Sequence, residues 1–195
     1  SDLYFAKEDT LKAQSTLEEA VAAEPTNTDL IGLLTEHYMK VGQNEKAVEN
    51  LDKLVNSDPS NVQYKIVKAS VLANNLKDFA TAKTTLQELF DNGLANNNSS
   101  ILLEMGQIWM LEGYEIGKKA DDTEDNDEYN KLKSEYIKCF ETALGYFKDA
   151  RENISNTDQN YQFLLQCIRE MYVRLGKTSS DEYKALNEEI KALGF

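Results

Sequence analysis

Proline, cysteine and histidine are all scarce in these 195 residues, and each shortage argues against a class of structure or site. Only two prolines occur, Pro25 and Pro59, which suits a mostly helical chain because proline breaks helix interiors. Cys139 and Cys167 stand in no Cys-x-x-Cys or Cys/His spacing, so no zinc site is predicted. A disulfide would need the two Cα atoms within about 7 Å of each other, and we expect two buried thiols instead.

Catalytic motifs are missing as well. The sequence contains no glycine-rich phosphate loop, no Gly-x-Ser-x-Gly and no His-Glu-x-x-His. Its single histidine, His37, stands next to Tyr38 in a helical pattern, where a lone imidazole is more often a packing residue than a general base. We therefore predict that the protein is not an enzyme and uses neither a cofactor nor a metal.

Basic residues are outnumbered, with 21 Lys and Arg against 34 Asp and Glu, a net charge of −13. Because recognition of phosphates requires basic patches, this balance argues against nucleic acids and anionic lipids as partners. It favours a neutral or basic protein partner. No apolar stretch approaches the roughly 20 residues of a membrane span. The printed residues contain no signal-peptide pattern, which leaves the compartment open.

What the sequence does contain is a repeated pair of short amphipathic helices, clearest over residues 28–61. The first helix has its apolar face at spacings of three and four residues, at Ile31, Leu34, Thr35 and Tyr38. The second continues this spacing with Ala47, Leu51 and Leu54. Gly42 is suited to end the first helix in a left-handed conformation, and Pro59 stops the second. This pattern resembles the tetratricopeptide repeat, a helix–turn–helix unit of 34 residues.

Shifting the pattern along the chain finds further repeats over 1–27, 62–97, 98–157 and 158–195. The first matches at a shift of 34 residues through Tyr4, Ala13, Leu17, Ala20 and Pro25. We expect most of its first helix to precede Ser1, leaving an apolar face uncovered. The resemblance implies one all-α domain over 1–195. Its fold would be a tetratricopeptide-like α-solenoid of antiparallel helix pairs, with about four to five repeats of which the first is incomplete.

The repeat over 98–157 departs from the pattern through an insertion at 113–133. Its helical periodicity continues past the expected turn to Lys119, stops at the acidic stretch 121–128, and resumes from about Tyr129 to Asn153. We predict one extended helical hairpin. The acidic tip lacks the central glycine of a calcium loop, so we interpret it as a solvated turn whose acids favour the start of the next helix.

The second half is similar to exported tetratricopeptide proteins of Gram-negative anaerobic bacteria. The residues that carry this similarity are Ala143, Leu144, Tyr146, Phe147, Ala150, Ile168, Tyr172, Arg174 and Leu175. The resemblance implies a periplasmic or outer-envelope location, with the cytoplasm as the open alternative.

In proteins of this family, the first helices of successive repeats line a concave groove that binds an extended peptide or a partner helix. The resemblance gives the candidate partner-binding residues Gly32, Glu36, Met39, Ile66, Ser70, Ala73, Leu103, Gln107, Met110, Gln166, Glu170 and Val173. This lining lacks the lysine and asparagine set that holds a C-terminal carboxylate in some members, which favours a neutral or basic partner segment. Several of these residues would alternatively pack against a neighbouring helix.

The function predicted from these observations is that of a protein–protein interaction scaffold for an unknown protein or peptide. One alternative is a self-assembling homodimer, formed through the uncovered face of the first helix at Leu3, Leu11 and Leu17. A second alternative is a carbohydrate-associated envelope module, which the single tryptophan does not favour.

Overall fold

The structure is a computed structural model that describes residues 2–95 and 97–194, with side chains from residue 10 onward. Within this part the chain forms nine α-helices and no strand. The helices are α1 (Asp2–Ala23), α2 (Thr28–Lys40), α3 (Asn44–Ser57), α4 (Val62–Asn74), α5 (Phe79–Asp91), α6 (Ser99–Asp121), α7 (Asn126–Glu152), α8 (Tyr161–Arg174) and α9 (Asp181–Ala192). The all-α class predicted from the sequence is confirmed.

The helices fall into two compact units, Ser1–Thr85 and Leu86–Phe195, and the boundary between them lies inside α5. Within the first unit, helices adjacent in sequence pack together, α1 with α2, α2 with α3 and α3 with α4. Within the second, α6 packs with α7, α7 with α8 and α8 with α9. The single domain predicted over the whole chain stays a prediction.

The helix pair α2–α3 has the packing that the spacing predicts. Leu34 and Tyr38 are buried against Ala47, which is fully buried where the two helices meet. Gly42 has a φ of +75°, the left-handed conformation that ends α2. Helix α3 ends at Ser57, two residues before Pro59.

Helix α1 differs from the prediction in two ways. It runs without a break from Asp2 to Ala23, so no turn separates Tyr4 from Ala13. In addition, Leu17 does not lie on an uncovered face, because it packs against the cluster of Leu34, Tyr38 and Ala47. The expectation for Leu17 was therefore wrong. The side chains of Leu3 and Tyr4 lie outside the described residues, whereas Leu11 is exposed.

Asparagine side chains cap the N-termini of three of the helices. The Oδ1 atoms of Asn27, Asn61 and Asn98 accept hydrogen bonds from backbone N–H groups in the first turns of α2, α4 and α6. Such a cap typically stabilises a helix by about 1 kcal/mol relative to alanine. Asn27 and Asn61 stand 34 residues apart, one full repeat, so the cap recurs with the helix pair.

The extended hairpin predicted in the second unit is confirmed as α6, of 23 residues, and α7, of 27 residues. At its tip, the side chain of Asp125 accepts hydrogen bonds from the N–H groups of Asp127 and Glu128, which caps α7. The acidic stretch therefore supplies the N-cap of α7. Within the described residues, no three His, Cys, Asp or Glu side chains form a group that could hold a metal ion.

Two glycines set the separation of α6 and α7. A Cβ atom added at Gly106 would lie 2.5 Å from the ring of Phe147, and one added at Gly113 would lie 2.6 Å from the ring of Phe140. Real Cβ atoms do not approach other atoms so closely. The two phenylalanine rings therefore occupy the space that side chains at these positions would need.

The last two helices complete the core of the second unit. Leu186 and Ile190 of α9 are buried in the same cluster as Ile168 of α8. At the edge of this cluster, Tyr172 Oη donates a 2.5 Å hydrogen bond to Glu182, and Lys148 Nζ donates another to the same carboxylate at 3.1 Å. Polar contacts therefore join α9 to both α7 and α8.

Both cysteines are buried thiols, as expected. Burial raises the pKa of Cys167 to about 12, so this thiol is protonated at neutral pH. A protonated thiol is a weak nucleophile, and Cys167 serves as a small packing residue of the core.

Replacing Gly106 with alanine should destabilise the protein by about 1–3 kcal/mol, because the new methyl group must displace the fully buried ring of Phe147. The matched control is Gly145→Ala in the middle of α7, where an added Cβ meets nothing within 4 Å. This change should stabilise the protein by up to about 1 kcal/mol through helix propensity. Denaturant unfolding measures both, and equal effects would contradict the proposed close contact.

Candidate functional site: the faces of the first helices

The candidate residues of α2 form a row at spacings of four and three residues. Gly32 is half-buried, and both Glu36 and Met39 are exposed. The carboxylate of Glu36 pairs with Lys40 Nζ at 2.7 Å, and the hydrogen bond from this lysine lowers the pKa of Glu36. Leu33, which sequence reasoning missed, is also exposed, at 53%. The row therefore presents the apolar side chain of Met39 beside a carboxylate that already has a partner, and Leu33 lies about 120° around the helix from Met39.

The candidate residues of α4 contribute mainly to packing. Ile66 and Ala73 are both buried, so they offer little or no surface to a partner. Ser70 is half-buried, and its Oγ and carbonyl oxygen accept hydrogen bonds from Asn74 Nδ2 at 3.2 and 3.0 Å. Ser70 is therefore the candidate residue of α4 with accessible surface.

In the second unit, the candidate residues of α6 range from buried to half-buried. Leu103 is buried, whereas Gln107 and Met110 retain part of their surface. These two side chains lie three residues apart, on the same side of the helix. They could offer a partner one amide and one flexible apolar group.

The candidate residues of α8 are more accessible. Gln166 and Glu170 are half-buried, and Val173 is 47% exposed. Phe163, three residues before Gln166, is 46% exposed and extends the row by one helical turn. The prediction from the sequence omitted Phe163, although its spacing from Gln166 was a signal that could have found it.

A hydrogen-bonded cluster links α8 to α6. Tyr114 Oη donates to Glu170 Oε1 at 3.0 Å, and Arg174 Nε donates to the same oxygen at 2.7 Å. The guanidinium of Arg174 also lies 5.0 Å from the centre of the Tyr114 ring, within the range of a cation–π contact. The carboxylate of Glu170 is thus oriented by two donors.

This cluster changes the chemistry expected of Glu170. The hydrogen bond from Arg174 is the largest cause that lowers the pKa of Glu170, with a further contribution from the Tyr114 hydroxyl. Burial, followed by the hydrogen bond to Glu170, raises the pKa of Tyr114. At neutral pH the site therefore holds a carboxylate, a guanidinium and a neutral phenol. Because Glu170 already accepts hydrogen bonds from Tyr114 and Arg174, it does not present an unpaired carboxylate to a basic partner.

Tyr114 is the residue of this site that the sequence did not single out. It follows Met110 by four residues and Gln107 by seven, so it continues the candidate row of α6. The cluster borders a cleft of about 380 Å³, which is lined by Tyr114, Arg174 and residues of the α6–α7 hairpin. The row of Gln107, Met110 and Tyr114 on α6 therefore ends at this cleft.

Comparison with known proteins supports the tetratricopeptide-like pattern of helix pairs in the first part of the chain. A family model described as tetratricopeptide repeat matches residues 4–71. No curated protein is significantly similar to the chain in sequence. Within the described residues, no helix is both long and apolar enough to span a membrane.

Solved structures of MamA share the fold. MamA from residue 41 onward, from Desulfovibrio magneticus RS-1, is 16% identical with a TM-score of 0.58, over 97% of this chain and 90% of that one. Another MamA structure is 18% identical with a TM-score of 0.57, over all of this chain and 96% of that one. At such low identity the likeness shows the fold alone, a tetratricopeptide-like α-solenoid.

Replacing Tyr114 with phenylalanine should reduce the free energy of unfolding by about 0.5–1.5 kcal/mol, because the ring remains while one hydrogen bond to Glu170 is lost. Combined with Glu170→Gln, the loss should be smaller than the sum of the single losses, since both changes affect the same bond. Denaturant unfolding at neutral pH measures this. The control is Tyr64→Phe, whose hydroxyl has no hydrogen-bond partner among the described residues. Full additivity would contradict the bond.

The same cluster has a pH dependence with a defined sign. Because the folded protein lowers the pKa of Glu170 below its ordinary value of 4.5, the contribution to stability is present above that value. It is lost as the pH falls through the lowered pKa. The Glu170→Gln variant should therefore lose less stability than the parent over this acidic range, measured as the shift of the thermal midpoint with pH.

Proposed function

We propose that this chain, which carries tetratricopeptide repeats over residues 4–71 and has the α-solenoid fold of such proteins, is a protein-interaction scaffold. The observation that carries the proposal is the exposure of apolar side chains on the faces of the first helices. Leu33 and Met39 lie on α2, and Phe163 and Val173 lie on α8. Repeat proteins of this type generally bind partners and do not catalyse reactions.

The proposed binding takes place at one face in each compact unit. Met39 and Met110 would supply flexible apolar contacts, since an unbranched thioether adapts to different partner surfaces. Gln107 and Gln166 would supply hydrogen bonds to a peptide backbone. The buried candidate residues Ile66, Ala73 and Leu103 would support these faces from beneath, and Gly32 and Ser70 would complete their surface.

Charge acts in this proposal mainly at a distance. The net charge of −13 disfavours acidic partners during approach and favours neutral or basic ones. At close range, Glu36 is already paired with Lys40, and Glu170 with Arg174. Direct contact would therefore depend on burial of apolar surface more than on ion pairs.

An envelope location belongs to the same proposal. It is supported by the similarity of residues such as Tyr146, Phe147 and Tyr172 to exported tetratricopeptide proteins of Gram-negative anaerobes. Fractionation of the source cells tests it, and recovery of the protein in the cytoplasmic fraction alone would contradict it.

The double variant Met39→Lys/Val173→Lys tests the proposed faces, because both side chains are exposed and can be changed without disturbing the core. Affinity capture from lysate of the source organism, quantified by mass spectrometry, should recover the partner at least about tenfold less well, since a lysine must be desolvated at the contact. The matched control is Asn56→Lys/Ser134→Lys, which adds the same charge at exposed positions outside these faces. Equal losses in both variants would rule out the faces as the contact surface.

Self-assembly is a second candidate function, favoured by the 57% exposure of Leu11 on α1. A homodimer through this helix would bury Leu11, so Leu11→Glu should convert dimer to monomer in sedimentation velocity experiments. The control Ser15→Glu changes an exposed residue one turn away on the same helix. A parent chain that stays monomeric at high micromolar concentration would exclude this alternative.

A further inference from the structure

The cleft of about 380 Å³ beside the hairpin has an aromatic lining that an occupant can reach. Tyr114 of α6 and Tyr136 of α7 both line it, and each is half-buried, so each retains accessible surface. Phe140 lies between them, with its ring centre 5.4 Å from that of Tyr114 and 5.8 Å from that of Tyr136. Aromatic rings prefer edge-to-face or offset contacts at such distances, so this lining suits a further ring.

Helix α6 leaves space for that ring at Gly117, which also lines the cleft. A Cβ atom added at Gly117 would lie 3.8 Å from the nearest ring atom, which belongs to Tyr136, an ordinary van der Waals distance. At Gly113, one turn earlier, the corresponding distance to Phe140 is only 2.6 Å. The rings of α7 therefore fill the space beside Gly113, whereas the space beside Gly117 is open to an occupant.

Two cationic side chains of the same lining have donors that remain available. The ammonium group of Lys118 is exposed and has no hydrogen-bond or ion-pair partner among the described residues. The side chain of Arg174 is 51% exposed, and its Nε donates to Glu170, which does not line the cleft. Within the part of the chain that the structure describes, the two Nη groups of Arg174 have no hydrogen-bond partner.

Arg174 is held in place before any ligand arrives. Glu170 fixes its Nε, and the guanidinium lies 5.0 Å from the centre of the Tyr114 ring. A guanidinium is planar, and its remaining N–H groups match the two oxygens of a carboxylate. A side chain that is already fixed loses less conformational entropy when it binds. The cleft therefore offers an oriented carboxylate-binding group beside accessible rings.

Charge and size restrict the ligand further. Lys118 and Arg174 are cations and Asp121 is an anion, so the lining carries one net positive charge, which a single carboxylate balances. The net charge of −13 disfavours the approach of a strongly acidic protein segment. The volume of about 380 Å³ is near the lower end of the range for small-molecule sites, roughly 300–1,000 Å³.

We propose that this cleft binds a small aromatic monocarboxylate, a function beyond that of a protein-interaction scaffold. The aromatic ring of the ligand lies beside Gly117, in contact with Tyr114 and Tyr136. Its carboxylate accepts hydrogen bonds from the Nη groups of Arg174 and pairs with the ammonium group of Lys118.

The test titrates the whole ¹⁵N-labelled chain with 3-phenylpropionate and follows the backbone amides of Gly117 and Lys118 and the Nε–H signal of Arg174 by NMR. These signals should shift along one saturating curve with a dissociation constant of about 1 mM or lower. Propionate, which lacks the ring, and 3-phenylpropanol, which lacks the charge, should each bind at least about tenfold more weakly.

Two variants test the ring and charge contacts without removing a side-chain hydrogen bond of the protein. Gly117→Leu places a side chain in the cleft and should abolish binding, whereas Gly145→Leu, at an exposed position with nothing within 4 Å of an added Cβ, should bind as the parent does. Lys118→Gln should weaken binding about threefold, since an exposed ion pair contributes modestly. Its control, Lys138→Gln, removes the same charge from an exposed position outside the cleft and should have no effect.

Arg174→Gln should weaken binding at least about tenfold, with circular dichroism confirming that the variant folds. The proposal is overturned if Gly117→Leu or Arg174→Gln titrates like the parent, or if propionate shifts the same signals at the same concentrations as 3-phenylpropionate. The peptide acetyl-Gly-Gly-Phe carries the same ring and carboxylate at a chain end, and should bind no more tightly than 3-phenylpropionate. Binding at least about tenfold tighter would assign the cleft to a protein C-terminus and overturn the small-molecule proposal.

Discussion

Close contact between helices at small residues is the constraint on which the packing depends. Ala47 is fully buried where α2 meets α3, and Gly106 and Gly113 allow α6 to approach the rings of α7. Protein interiors are packed as densely as organic crystals, so a larger side chain at such a position moves the neighbouring helix or leaves the core strained.

Packing and binding compete for the same helices. The first helices of the repeats have one side for the core, and the opposite side is available to a partner only where nothing else covers it. On α2 and α8, Leu33, Met39, Phe163 and Val173 remain exposed, whereas Ile66 and Ala73 of α4 and Leu103 of α6 are buried. The helices with equivalent places in the repeat therefore do not contribute equally to a binding surface.

The repeat itself could be predicted from local sequence, because its determinants are local. Gly42 and Pro59 act within one or two turns of where they stand, and the long hairpin follows from continued periodicity on both sides of the acidic tip. The asparagine caps could have been found as well, since Asn27 and Asn61 recur at the repeat length. The exposed apolar side chains of α2 and α8 could be found only in part, because spacing gives the side of a helix and not its degree of burial.

Contacts between distant residues could not be predicted in this way. The bond between Tyr114 and Glu170 joins residues 56 positions apart, and it exists because α6 and α8 are brought to a particular register by α7. Leu17 was misplaced for the same reason, since its spacing fits two faces of α1 and only the packing of α2 selects one.

The two glycine–phenylalanine contacts also restrict how the long hairpin can change during evolution. Gly106 and Gly113 are seven residues apart on α6, and their partners Phe147 and Phe140 are seven residues apart on α7, in the reverse order. Inserting or deleting one residue between either pair would rotate a glycine by about 100° away from its ring and bring a larger side chain there. Insertions and deletions in the hairpin should therefore be found mainly between Gly113 and Phe140, toward the acidic tip. Elsewhere they should occur as seven-residue changes, about two helical turns, made in both α6 and α7.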